Sequence, residues 1–263
     1  MTRARLLRLL GPLLVGLAAL AAWEALVRAR GIPAYVLPGP LLVARALVDD
    51  GPSLLRALAF TLRVTLVALI GAAVLGGGLA VLLSQARWIE RALLPYAVVL
   101  QVTPIVSIAP LVIIWVDDTF TALVACAWIV AFFPVLSNTT LGLRSAEPNL
   151  VDLFRLYGAG RWQTLRLLHL PTALPYFLAG LRISGGLALV GAVVAEFVAG
   201  TGGAETGLAF RILEAGYRLQ IPRLFAALLL LSVAGIAIYA SLSVLSQRLL
   251  RHWHASALPR QDN

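Results

Sequence analysis

The chain has 263 residues, 60% hydrophobic and 13% charged, with a mean hydropathy of +0.92 and a formal net charge of +9. Soluble domains carry about 25% charged residues, so this composition excludes an ordinary soluble fold and points to an integral membrane protein. All 21 basic residues are arginine; without a lysine to reach the β- and γ-phosphates, the chain does not bind and hydrolyse ATP through a P-loop.

Six apolar blocks follow one another, at about residues 9–27, 60–83, 93–116, 120–142, 176–200 and 224–245. Each meets the roughly 20 residues that a helix needs to cross a hydrocarbon core with its backbone polar groups paired internally. The expected fold is all-α, a polytopic membrane protein with six transmembrane helices. The first block follows Arg3, Arg5 and Arg8. Ala19–Ala21 has the form of a signal-peptidase site, but the apolar run continues to Val27, so an uncleaved anchor is expected. With both termini cytoplasmic, twelve arginines fall in cytoplasmic connections and seven in outer ones, in the sense of the positive-inside rule. Nucleic acid is not an expected partner, because these arginines sit at the ends of apolar blocks and not on a polar domain.

Within the first block Glu24 needs a partner at membrane depth and is expected to be structural. Gly76, Gly77 and Gly78 in the second block suit close helix packing. The third block contains Gln101, Thr103, Pro104, Ser107 and Pro110, where freed carbonyls need a partner or a cavity. These residues are candidates for a translocation path, with a packing kink as the other reading. Asp117 and Asp118 form a polar corner expected to be a solvated turn. Cys126, the single cysteine, has no disulfide partner in the chain and is expected to pack within its helix. Glu196 ends the fifth block, either lining a path or pairing for packing. His252 and His254 belong to a basic tail.

Between the fourth and fifth blocks lies a basic insert. Pro148 and Asn149 can start a short helix in which Leu150, Leu153, Phe154 and Tyr157 share a stripe, and Gly158 can end it in a left-handed cap. A second short helix is expected over Arg161–Leu170, stopping at Pro171. Two such helices need something to pack on. On the residues alone, lying among lipid headgroups and docking a soluble partner are equally open.

The run from Asp152 through Gly158 to Leu168-His169-Leu170-Pro171 resembles the cytoplasmic loop signature of binding-protein-dependent transport permeases, the membrane subunits of type I ABC importers with the MetI-like fold. In that signature Glu-Ala-Ala is followed by Gly three residues later and, after nine more, by Ile-x-Leu-Pro. Gly158 and Leu170-Pro171 keep the spacing, whereas Asp152 replaces the glutamate, Leu153 and Phe154 the alanines, and Leu168 the isoleucine. The stretches 36–47, 103–116, 158–184 and 193–212 look like the nitrate, sulfonate and taurine subgroup.

The resemblance implies that the insert is a coupling helix seated on a cytoplasmic ATPase, with Asp152, Phe154, Arg155, Tyr157, Gly158, Ala159 and Arg161 at the contact and Leu170 and Pro171 setting re-entry into the membrane. It further implies a homodimeric permease in the bacterial inner membrane, served by two ATP-binding subunits and an external substrate-binding protein. This chain itself then binds no cofactor, and ATP is used by the partner. The implied organisation is an N-terminal transmembrane helix with flanks (1–35), a permease core (36–247) holding the coupling loop (145–175), and a basic tail (248–263). The expected cargo is a sulfonate, taurine or nitrate-like anion, with a pyrimidine-type vitamin precursor as the alternative. An ion-gradient-driven secondary transporter using Glu196 is the rival, although the two halves show no repeat of the kind such transporters often carry. No nucleophile–base pair, paired intramembrane aspartates or Cys/His cluster with metal-ligand spacing is present, so neither hydrolytic catalysis nor a metal is expected.

Overall fold

A computed structural model describes the backbone of residues 3–200 and 206–251, and side chains from residue 11 onward except Pro12, Leu13 and Arg87. Glu205 and the tail beyond Arg251, including His252 and His254, lie outside the described residues, as do the side chains of Arg3, Arg5 and Arg8. The helices are α1 (Arg3–Ala29), α2 (Pro40–Asp49), α3 (Gly51–Gln85), α4 (Arg87–Val102), α5 (Ile105–Trp115), α6 (Thr119–Arg144), α7 (Pro148–Leu156), α8 (Arg161–Thr164), α9 (Leu170–Ala199), α10 (Leu208–Tyr217) and α11 (Ile221–Leu250), with a π turn over Leu165–His169 between α8 and α9. No strand occurs among the described residues.

Four stretches are long and apolar enough to cross a membrane unbroken: α3, α6, Arg161–Ala199 and α11. The third apolar block is not one straight helix. It is the pair α4 and α5, bent by 100° at a short break. The cause is local: Pro104 offers no N–H and disfavours helix at Thr103, and both residues adopt extended backbone. Counted as one broken span, the pair brings the stretches able to cross among the described residues to five. The first block lies within the 27-residue α1.

The chain divides into two compact units, residues 1–59 with 202–232, and 60–201 with 233–263. The first has a core of Val43, Leu54, Ala57, Leu208, Ile212, Ala226 and Ala227. Here Glu24 is structural. Its Oε1 accepts from Arg28 Nε at 2.7 Å and its Oε2 from the Leu41 backbone N–H at 3.3 Å. The carboxylate thus satisfies an orphan donor at the start of α2 and sits at the favourable end of its dipole. Gly39 makes room, since a Cβ there would lie 2.5 Å from Glu24 Oε2.

The second unit is organised by α6 against α9. A Cβ on Gly142 would meet Tyr176 Cβ at 2.7 Å, one on Gly180 the Pro134 carbonyl at 2.7 Å, and one on Gly191 the Ala127 Cα at 2.9 Å. The small residues let the two backbones approach, as in membrane helix pairs generally. Ser184 Oγ then donates across the contact to the Ala131 carbonyl at 2.6 Å. Cys126 is buried in this interface with Ala127, Ala192 and Ala195. Gly76 packs in the same manner, a Cβ there lying 3.1 Å from Val135 Cβ, whereas Gly78 has nothing within 4 Å.

Candidate functional site: the arm between α6 and α9

The insert folds as an arm of two short helices. Pro148 occupies the first turn of α7, where its missing N–H is an orphan in any case. At the other end Gly158 takes φ +69°. Its N–H donates to the Arg155 carbonyl at 3.0 Å and that of Ala159 to the Phe154 carbonyl at 2.9 Å. This paired 5→2 and 6→1 pattern is a Schellman cap, which requires a left-handed residue at the position Gly158 fills. Gln163 then anchors the start of α8, its Oε1 accepting the Gly160 N–H at 2.8 Å.

The second helix does not stop at Pro171. It runs on as one helix from Arg161 to Ala199. Pro171 lacks an N–H for the Leu167 carbonyl and its ring crowds that carbonyl. Widening the preceding turn to π geometry, with the Leu170 N–H donating to the Leu165 carbonyl, relieves the clash without ending the helix. The arm is therefore covalently and helically continuous with α9. A further tie comes from His169, whose Nδ1 lies 2.9 Å from the Leu143 carbonyl in the last turn of α6. A carbonyl only accepts, so Nδ1 carries the proton and satisfies one of the orphan carbonyls of α6.

The arm presents apolar side chains left uncovered by the described residues: Leu156 is 85% exposed, Tyr157 83% and Trp162 69%. Phe154 is half-buried and Gly158 exposed. Asp152 Oδ1 accepts from Arg155 Nη1 at 3.2 Å, but the side chains are 66% and 76% exposed, so the pair contributes little. Arg155, Ala159 and Arg161 line a cavity of about 740 Å³ together with Arg144 and His169. Of the expected contact residues, Tyr157 thus belongs to an outward apolar ridge, while Arg155, Ala159 and Arg161 line the cavity with both arginine side chains still exposed. Leu156 and Trp162, absent from the expected contact residues, carry the ridge. Their signal in the sequence is an apolar residue beside the predicted stripe.

The candidate path residues divide similarly. Gln101, Pro104 and Ser107 are exposed at the α4–α5 corner, with Thr103 Oγ1 donating to the Val99 carbonyl at 2.7 Å. Glu196 is 3% exposed, its Oε1 accepting from Thr61 Oγ1 of α3 at 2.8 Å. Asp118 is a helix cap: Oδ2 accepts from the Thr121 N–H at 2.8 Å and from the Thr121 hydroxyl. The Thr121 hydroxyl, followed by its N–H, holds that carboxyl below the usual range.

Two intramembrane arginines were not among the sequence expectations. Arg63 lies over Phe120, 4.6 Å from the ring centroid. Arg182 lies 5.9 Å from the Tyr239 centroid, and its buried Nε has no hydrogen-bond partner among the described residues. Each is a lone cation in an apolar run, which is the signal that could have found it. Among the described residues no three His, Cys, Asp or Glu side chains group as a metal site.

Comparison with known proteins agrees with this architecture. Residues 70–253 match the family model described as binding-protein-dependent transport system inner membrane component. The chain is 37% identical over 237 residues to the riboflavin transport system permease protein RibX of Chloroflexus aurantiacus, covering 89% of this chain and 86% of that one. It is 34% identical to the formylaminopyrimidine transport permease protein ThiX of Halalkalibacterium halodurans, over 92% of this chain and 95% of that one. The taurine transport system permease protein TauC of Escherichia coli is 27% identical, over 84% and 81%. A crystal structure of an amino acid ABC transporter with histidines shares the fold, with a TM-score of 0.62 at 20% identity, covering 77% of this chain and 96% of that one. With about seven-tenths of its length matched by one family model and full-length relatives above 30% identity, the chain belongs to the inner membrane component family of binding-protein-dependent transport systems.

Proposed function

We propose that the chain is the pore-forming subunit of an ATP-driven importer, and that the α7–α8 arm is where a separate cytoplasmic ATPase engages it. The observation that carries this reading is the arm itself. It has an uncovered apolar ridge of Leu156, Tyr157 and Trp162, a glycine-fixed cap, and an unbroken helical connection into α9. A ridge of this kind favours a protein groove over water, and the rigid connection transmits a tilt of the arm to the span. If nucleotide energy drives transport, the absence of lysine from the chain leaves the P-loop to another polypeptide. Two copies of the chain, two ATPase subunits and an external binding protein complete the assembly, with both termini cytoplasmic.

Asp152, Phe154, Tyr157 and Gly158 shape the docking contact, Arg155, Ala159 and Arg161 back it, and Leu170-Pro171 sets the join to α9. Gln101, Thr103, Pro104 and Ser107 line the path at the α4–α5 corner. Glu196 braces α3 against α9. For cargo, the relatives above 30% identity include one named for riboflavin and one for formylaminopyrimidine, whereas those named for sulfonates and taurine fall at 27–29%. We therefore place a heteroaromatic vitamin or vitamin precursor ahead of a sulfonate, taurine or nitrate. The test is ATP-dependent uptake in vesicles carrying the full assembly, with riboflavin, a formylaminopyrimidine and taurine as cargo. Uptake that survives ATP removal and collapses with the proton gradient would overturn the importer reading. Uptake of taurine alone would overturn the cargo assignment and leave the importer reading intact.

A further inference from the structure

The cavity behind α7 has a chemistry that docking does not require. Arg144 from the end of α6, Arg155 from α7 and Arg161 from the start of α8 line it, with Gln85, Thr164 and His169 beside them. No aspartate or glutamate is among its lining residues. Glu90 reaches Arg144 and Asp152 reaches Arg155, but Asp152–Arg155 is exposed and screened, and Arg161 makes no ion pair among the described residues.

Solvent screens the repulsion among the three guanidinium groups, Arg144 being half exposed and Arg155 76% exposed, and an anion between them adds charge-assisted hydrogen bonds that none of them has to another cavity residue. Planar guanidinium forks match the oxygens of a phosphate in pairs. The cavity is also placed where phosphate is concentrated. Gln85 ends α3, Arg144 ends α6 and Arg161 begins the helix that becomes α9, so three stretches apolar enough to span terminate at it, and the ends of spanning helices meet the headgroup region. Basic pockets between helix ends at this depth take anionic headgroups. A volume of about 740 Å³ accommodates a glycerophosphate headgroup with room to spare.

We propose that this cavity is a phosphate-binding site that takes either the phosphate of an anionic phospholipid headgroup or free inorganic phosphate, and that the bound anion clamps the arm to the ends of α3 and α6. The proposal goes beyond the transport reading and depends neither on ATPase docking nor on which leaflet the arm faces.

The test is protection of individual arginines from phenylglyoxal, read by peptide mass spectrometry on the full chain in vesicles. Three preparations are compared: phosphatidylcholine alone, phosphatidylcholine with phosphatidylglycerol, and phosphatidylcholine with added inorganic phosphate. Arg166, exposed on the same arm and not lining the cavity, is the internal reference. Protection of Arg155 and Arg161 by about tenfold relative to Arg166, as expected for a charge-assisted hydrogen bond, supports the site. Phosphatidylglycerol acting alone identifies the lipid as the source, and inorganic phosphate acting in phosphatidylcholine identifies the free anion. Equal rates in all three preparations, or equal slowing of Arg166, would each overturn the proposal.

Discussion

Gly158 holds the arm's turn with φ +69°, and a Cβ at this position would meet nothing within 4 Å, so its requirement is backbone conformation alone. Gly158→Ala is expected to cost about 1–2 kcal/mol of local stability, the ordinary penalty of a left-handed β-carbon, and Gly158→Asn much less. Hydrogen exchange at the Gly158 and Ala159 amides would show it, about tenfold faster in the alanine variant and near wild type in the asparagine one.

Glu214 offers a second residue-scale test. Its Oε2 accepts from Arg211 Nη1 at 2.9 Å, and Arg218 lies 3.0 Å from its Oε1. The Arg211 hydrogen bond, followed by the charges of Arg218, Arg211 and Arg223, holds its carboxyl below the usual glutamate range against a desolvation cost. A depressed folded value contributes stability that is fully present above the ordinary glutamate pKa, about 4.3, and lost as pH falls from there through the folded value. Exchange of the Arg218 and Gln220 amides, which donate to the Glu214 and Ala215 carbonyls, should therefore accelerate below about pH 4. This acceleration should be absent in Glu214→Gln. The left-handed glycine was legible in the sequence because the residue type and its place after an apolar stripe demand it. The role of Glu24 as a surrogate cap was not, because its donor partner Leu41 is seventeen residues away and is brought close only by the fold.

At the scale of elements, the α6–α9 contact depends on glycines whose substitution has a calculable consequence. Gly142→Ala places a Cβ 2.7 Å from Tyr176 Cβ and 2.9 Å from Ala173 Cα. Because backbone cannot rotate away, about 1–3 kcal/mol of destabilisation is expected. Gly78→Ala meets nothing and should leave stability unchanged or raise it slightly. Thermal unfolding in one detergent compares the two, and equal midpoints would contradict the role of close packing. The π turn over Leu165–His169 makes a different prediction. Pro171→Ala restores an N–H and removes the ring, which allows the turn to close to ordinary α geometry and rotates the arm relative to α9. The span should remain folded while ATP-driven uptake falls several-fold. The sequence signalled a boundary at Pro171, and the fold places a defect there instead. A proline stops a helix only where neighbouring turns have no way to widen, and pattern alone does not report that freedom.

For the whole molecule, the apolar blocks were legible because hydropathy measures the same transfer energy that the bilayer imposes. The corner between α4 and α5 was legible only as an interruption. Pro104 and the extended backbone at Thr103 cause the break, but a proline does not report the angle, here 100°, at which α5 goes on to bury Ala109 with Ala192 and Ala195. The family was legible from Gly158 and Leu170-Pro171 despite the altered Asp152-Leu153-Phe154, since the frame reflects turn geometry: Gly158 takes φ +69° and Pro171 follows the π turn. The cargo was not legible, as the candidate path residues at the corner, Gln101, Thr103, Pro104 and Ser107, are uncharged and define no recognisable ligand set.

The central claim is that the exposed arm receives a separate ATPase. Its most direct measurement is purification of the full chain from its own membrane, wild type beside a Leu156→Asp/Trp162→Asp variant, followed by ATP hydrolysis and identification of P-loop subunits in each preparation. The expected result is an ATPase of that class bound to the wild type and lost from the variant, with both chains equally folded. A wild-type chain that carries no P-loop subunit, or a variant that retains it undiminished, would contradict the claim.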